Sequence, residues 1–303
     1  MVNRFFSIFA VSLSMGVMCI GQCRAADPQS NRALWIWNMK SIYSSTQNRD
    51  NLFTFLEAPR GDKSSAIKTL FCSGASPKEL ATPPEAASIR SFNSFAHSRG
   101  MTVYCLCGQP SYGQAEHEGE GLAYVSGVLD FNKSCTVAEK FDGLQFDVEP
   151  SGIEGWPSQK SISSFRKLFT DSRDLISKSG QHLLLSEALQ MQCGYVTDSD
   201  TGQTVDLDVI GATDNVAIMS YRSTIPTLET GADLTLERAS AAGKQCWVGV
   251  ETNDVEPKSI SFYGLGNSAM EKVLNGARTH FQKQHSFAGY AIEELEGYKS
   301  LKR

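Results

Sequence analysis

The stretch KFDGLQFDVEP, residues 140–150, has the apolar, β-favouring content of a short buried strand in Phe141, Leu144, Phe146 and Val148. Its alternate positions carry Gln145, Asp147 and Glu149, and a period of two puts all three on one face. A central strand of a parallel sheet is ordinarily apolar on both faces. One amide and two acids in a row, stopped by Pro150, call for a fold in which that face does chemistry at the strand's carboxyl end.

The rest of the chain supplies such a fold. Short apolar runs recur at RALWIWN, AIKTLFCS, MTVYCLCG, QHLLLSEAL, NVAIMSY, QCWVGVET and FAGYAIEE, and stretches that read mostly as helices lie between them. PPEAASIRSFNSFAHSRG opens on prolines and closes on Gly100, a start and stop pair. Further helical stretches close on Gly180 and Gly243, each just before the next strand, where a left-handed cap is useful. Alternating units of this kind over roughly 280 residues predict a parallel sheet with right-handed crossovers, closed into a single α/β (β/α)8 barrel. A doubly wound open sheet is the competing architecture, but WIWNMKS after the first strand is no Gly-rich phosphate turn. The longest irregular pieces, GQPSYGQAEHEGEG and QMQCGYVTDSDTGQT, follow strand ends, where a barrel builds its active site.

The first residues have the layout of a secretory signal peptide: Arg4, an uncharged apolar run, then small residues around Cys23 and Ala25. The expected organisation is a cleaved signal over residues 1–25 and one barrel domain over 26–303. The expected location is secreted or periplasmic, with no integral membrane segment in the mature chain. The net charge of −5 comes from 28 basic and 33 acidic residues spread widely, without the basic stripe of a nucleic-acid binder. Beyond the signal stand Cys72, Cys105, Cys107, Cys135, Cys193 and Cys246, too few for a staple framework in a domain this large. With no Cys-x-x-Cys and no His pair at ligand spacing, neither a metal nor a cofactor is expected. A monomer is the expected state.

In a barrel, inward side chains near the carboxyl end of a strand reach the mouth. Gln145 would lie deepest, Asp147 next and Glu149 at the lip. Two neighbouring carboxylates in a pocket of low dielectric cannot easily both ionise, so one keeps a proton near neutral pH. Glu149 could then donate that proton to a leaving oxygen.

DGLQFDVE also resembles the Asp-x-x-Asp-x-Asp-x-Glu fourth-strand signature of family-18 glycoside hydrolases, the chitinase-type barrels. Asp142, Asp147 and Glu149 match its first, third and last acids, and Gln145 replaces the second. The resemblance implies a carbohydrate substrate, Glu149 as the acid that protonates the glycosidic oxygen, and Asp147 orienting an N-acetyl group whose oxygen is the nucleophile. NVAIMSYR is similar to the sixth-strand Met-x-Tyr-Asp motif, with Met219 and Tyr221 in place and Arg222 where an Asp is usual. In the seventh-strand segment Glu251 takes the place of a common Pro, and in the last strand Glu293 takes that of the tryptophan floor. Gln145, Tyr221, Arg222, Glu251, Glu293 and Trp37 are therefore the candidate substrate-binding residues. Trp35 and Trp37 offer aromatic area or core packing. Arg222 is expected to pair with Glu251 or Glu293, or else to grip a sugar carboxylate. Glu187, ending the fifth strand, is a further candidate for the mouth. Two other readings stay open: a retaining glycosidase with Glu149 as acid/base and Glu251 as nucleophile, and a non-catalytic sugar-binding protein.

Overall fold

A computed structural model describes residues 31–302. The expected signal peptide and its cut lie outside the described residues. Eight parallel strands, β1 (Arg32–Ile36), β2 (Ile67–Cys72), β3 (Thr102–Cys107), β4 (Gly143–Phe146), β5 (Leu184–Leu189), β6 (Asn215–Ile218), β7 (Gln245–Glu251) and β8 (Phe287–Glu293), follow one another round a closed barrel. Pairing of β1 with β8, through Ala33 with Ala291 and Leu34 with Ile292, completes the ring and rules out the open sheet. Among the described residues no helix is long and apolar enough to cross a membrane.

The helices between strands bury one stripe each. The helix Gln159–Ser179 buries Ile162, Phe165, Phe169 and Ile176, spaced three, four or seven apart. Ser158 caps it by accepting from the Ser161 N–H, and Gly180 ends it at φ 66°. Gly100 and Gly243, also expected as stops, have φ of 68° and 67°.

The barrel interior is filled, not hollow. Trp35, Phe71, Tyr104 and Trp247 project inward, and Ala188, Ala217 and Ala291 leave room for them. Ring centroids lie 5.4 Å apart for Trp35 and Phe71, 5.3 Å for Phe71 and Tyr104, and 5.8 Å for Phe71 and Trp247. These tilted and edge-on contacts are the favoured aromatic geometries. They make a floor under the carboxyl ends of the strands. Cys72, Cys105, Cys107, Cys193 and Cys246 are buried, Cys135 is half-buried, and all six are free thiols.

Candidate active site

The fourth strand is shorter than its sequence suggests. β4 ends at Phe146, and Asp147, Val148 and Glu149 run on beyond the ladder. Their N–H groups need new partners. The Asp147 N–H donates to the Cys107 carbonyl at 2.9 Å, and the Val148 N–H to Glu187 Oε1 at 3.3 Å. The alternation of faces nevertheless persists. Val148 is buried in the layer between barrel and helices, whereas Asp147 and Glu149 turn to the mouth. Pro150 then opens a single 3-10 turn, Pro150–Gly152.

Gln145 is fully buried in the barrel beneath these acids. It accepts from Trp35 Nε1 at 2.7 Å and donates through Nε2 to Ser186 Oγ at 3.1 Å. A carboxylate there could accept from both the indole and the serine hydroxyl. What the amide adds is neutrality, since it satisfies both partners and spares Asp147 another negative neighbour. Gly108 gives Asp147 its room, because a Cβ on residue 108 would stand 2.0 Å from the Asp147 carbonyl oxygen. Burial, with the adjacent charge of Glu149, pushes the Asp147 carboxyl up to about 7. Its Oδ1 is buried with no hydrogen-bond partner. Glu149 is exposed at the lip, where Gln190 Nε2 donates to its Oε2 at 2.6 Å. Gln190 Oε1 in turn accepts from the Ser151 N–H at 3.2 Å, so one side chain ties the lip of β4 to the end of β5.

Three other strands close the mouth. Tyr221, half-buried just past β6, faces Glu293, Asp147, Glu251 and Glu149; burial first, then these charges, holds its phenol well above the usual range. Gly249 on β7 leaves space for it, since a Cβ there would lie 3.3 Å from the tyrosine ring. Glu251 and Glu293 are direct neighbours in the β7–β8 register. Glu251 Oε1 accepts from the Thr252 and Asn253 N–H groups, each at 2.7 Å. Burial raises its carboxyl and those two donors oppose the rise. Glu293 Oε1 accepts from Trp37 Nε1 at 2.8 Å, and burial pushes this carboxyl up to about 9. Trp37, 38% exposed, presents its ring at the mouth.

The structure therefore brings together Trp37, Asp147, Glu149, Tyr221, Glu251 and Glu293, with Gln145 beneath them. Other expectations need correction. Among the described residues Arg222 forms no ion pair with Glu251 or Glu293. Instead its Nη1 donates to the Tyr221 carbonyl at 2.7 Å. Its guanidinium lines a groove of about 340 Å³ beside the helix Ile225–Ala241, with Met191, Tyr195 and Thr230. Glu187 also misses the mouth. It pairs in register with Phe146, whose ring meets Phe169 of the surrounding helix, so both face outward. Asp142 sits at the opposite end of β4, where its Oδ2 accepts from the Val103 N–H at 2.7 Å and meets His97 Nε2 at 2.9 Å. That is a structural clasp between strand and helix. Gln190 was not foreseen; its place at the start of an irregular piece after a strand end is the signal that could have found it.

No protein-family model matches the chain, and no curated protein matches its sequence. Solved structures do resemble it. A chitinase from Bacteroides thetaiotaomicron superposes with a TM-score of 0.56 at 14% identity, covering 88% of this chain and 90% of the other. A family-18 chitinase from Pseudoalteromonas aurantia gives 0.53 at 12% identity, over 88% and 94%. A plant class V chitinase mutant from Cycas revoluta, solved in complex with (GlcNAc)3, gives 0.51 at 13% identity, over 88% and 95%. At such identities the likeness is one of fold, the (β/α)8 barrel that this chain shares with these chitinases.

Proposed function

We propose that the chain is an exported glycoside hydrolase acting on amino-sugar-containing oligosaccharides or polysaccharides, with Glu149 as general acid/base and Asp147 as its partner. The observation that carries this reading is the Asp147–Glu149 pair at the carboxyl-end mouth of a chitinase-type barrel, with Asp147 held near half-protonation at neutral pH. Glu149 donates its proton to the glycosidic oxygen as the bond to the anomeric carbon breaks. The carbonyl oxygen of the substrate's own N-acetyl group attacks that carbon, and Asp147 holds the amide in line. Tyr221, facing Asp147 across the mouth, can donate to the same group. Glu149, now ionised, then takes a proton from the water that opens the cyclic intermediate. The complex of the Cycas revoluta enzyme with (GlcNAc)3 supports an N-acetylated sugar as the first substrate to try. The two backbone donors on Glu251 Oε1 support an anchored carboxyl more than a nucleophile.

The test is a screen of the purified chain lacking residues 1–25 against amino-sugar, glucan and uronate-bearing oligosaccharides. Cleavage is expected, with Glu149→Gln slowing it about 10²–10⁴-fold. Turnover unchanged in that variant refutes the assignment of the acid. Binding by the unaltered chain without cleavage of any glycan favours a sugar-binding protein instead.

A further inference from the structure

Behind the acid-bearing segment lies a carboxyl that the mechanism above does not use. Glu187 is 0% exposed, on the outward face of β5, between the barrel and its helices. Its Oε1 accepts from the Val148 N–H, and its Oε2 has no partner. The titratable groups around it are Asp147 and Glu149 on the continuation of β4, Cys107 on β3 and Cys193 in the turn after β5. Among the described residues no cation pairs with it. A buried carboxylate in such company would be costly, and burial accordingly holds this carboxyl well above its ordinary range.

We infer that Glu187 is a positioning residue that fixes the Asp147–Val148–Glu149 segment from behind. The proposal rests on the hydrolase reading of that segment. Where β4 leaves the ladder, its first two N–H groups are claimed by opposite neighbours, Asp147 by the β3 carbonyl of Cys107 and Val148 by the β5 side chain of Glu187. Gly108, with no Cβ, lets the β3 backbone lie close against Asp147, so the segment is held between two strands. Val148 stands between the two acids, and a shift of its backbone moves both. Displacements near 1 Å can cost about a hundredfold in rate.

Two variants separate the roles of acceptor and charge. Glu187→Gln keeps a neutral carbonyl acceptor; Glu187→Leu keeps bulk and removes the acceptor. In Glu187→Leu, kcat is expected to fall at least about tenfold with KM within about threefold, and Glu187→Gln is expected to restore kcat to within about threefold. Carbon-13 NMR titration of the Asp147 carboxyl gives a readout independent of any substrate. Its midpoint should stay near 7 in the unaltered chain and in Glu187→Gln, and fall toward the ordinary carboxylate range in Glu187→Leu as the freed segment meets water. An unchanged midpoint in a folded Glu187→Leu overturns the positioning role. A lowered midpoint in Glu187→Gln overturns the neutral state, because it would mean that a negative charge had been removed. If the chain cleaves no glycan, the hydrolase reading fails, while the titration still decides whether Glu187 holds the segment.

Discussion

Replacing Glu293 by glutamine should stabilise the protein, and more so as the pH rises. Glu293 Oε1 accepts from Trp37 Nε1, and an amide oxygen can accept that bond equally. The carboxyl differs in what folding does to its proton. Burial, with Glu251, Asp147 and Glu294 nearby, raises its pKa from 4.5 to about 9, although the Trp37 bond opposes the rise. Between those values the folded protein holds a proton that the unfolded chain has released. Stability therefore falls as pH rises through this window. At pH 8 the full linkage is about 5 kcal/mol at about 1.4 kcal/mol per pH unit, and water entering the mouth reduces it to roughly half. Glu293→Gln removes that penalty. The variant should match the unaltered chain near pH 4.5 and exceed it by about 2–3 kcal/mol at pH 8, a Tm difference of about 5–10 °C. Thermal unfolding followed by circular dichroism from pH 4.5 to 8 measures the divergence. Parallel Tm curves for the two proteins would show that Glu293 ionises freely and refute the reasoning.

Asp147→Asn should abolish the limb near pH 7 in the kcat/KM profile of whatever glycan is cleaved, because that limb belongs to the Asp147 carboxyl. A limb that survives the substitution assigns it elsewhere. Gly108→Ala should cost more than about 3 kcal/mol in denaturant unfolding, since the new Cβ meets the Asp147 backbone and not a flexible side chain. Arg222→Gln should change stability by less than about 1 kcal/mol, as Arg222 forms no ion pair among the described residues; a large loss would reveal a partner at Glu251 or Glu293.

The sequence made the acids of β4 legible because a period of two assigns residues to faces without knowledge of the fold. Asp147 and Glu149 share the mouth even though the ladder ends before them. Periodicity does not say which face is inward. For LLSEAL that choice depends on register with β4, where Ser186 faces the buried Gln145 and Glu187 is left outside. Small residues at 186 and 188 beside a row of large inward ones were the available signal. The pairing expected for Arg222 failed because both groups found nearer partners. Arg222 donates to the Tyr221 carbonyl beside it, and Glu251 met its need for donors from its own following backbone. The contact of Trp37 with Glu293 spans the join of β1 and β8, which only closure of the ring creates.

That closure also governs thiol chemistry. Burial pushes the thiols of Cys72, Cys107 and Cys193 up, and those of Cys105 and Cys246 to about 12, so almost none is thiolate at neutral pH. Alkylation and disulfide exchange proceed through the thiolate and need access to it. Among the described residues half-buried Cys135, packed against Arg90 with Nε 3.3 Å from its sulfur, is the one thiol in the native barrel that a reagent can reach from solvent. The others become reactive only while the chain is open. In an oxidising compartment the interval between emergence and barrel closure would then decide whether these cysteines stay free, and pulse alkylation would time that interval.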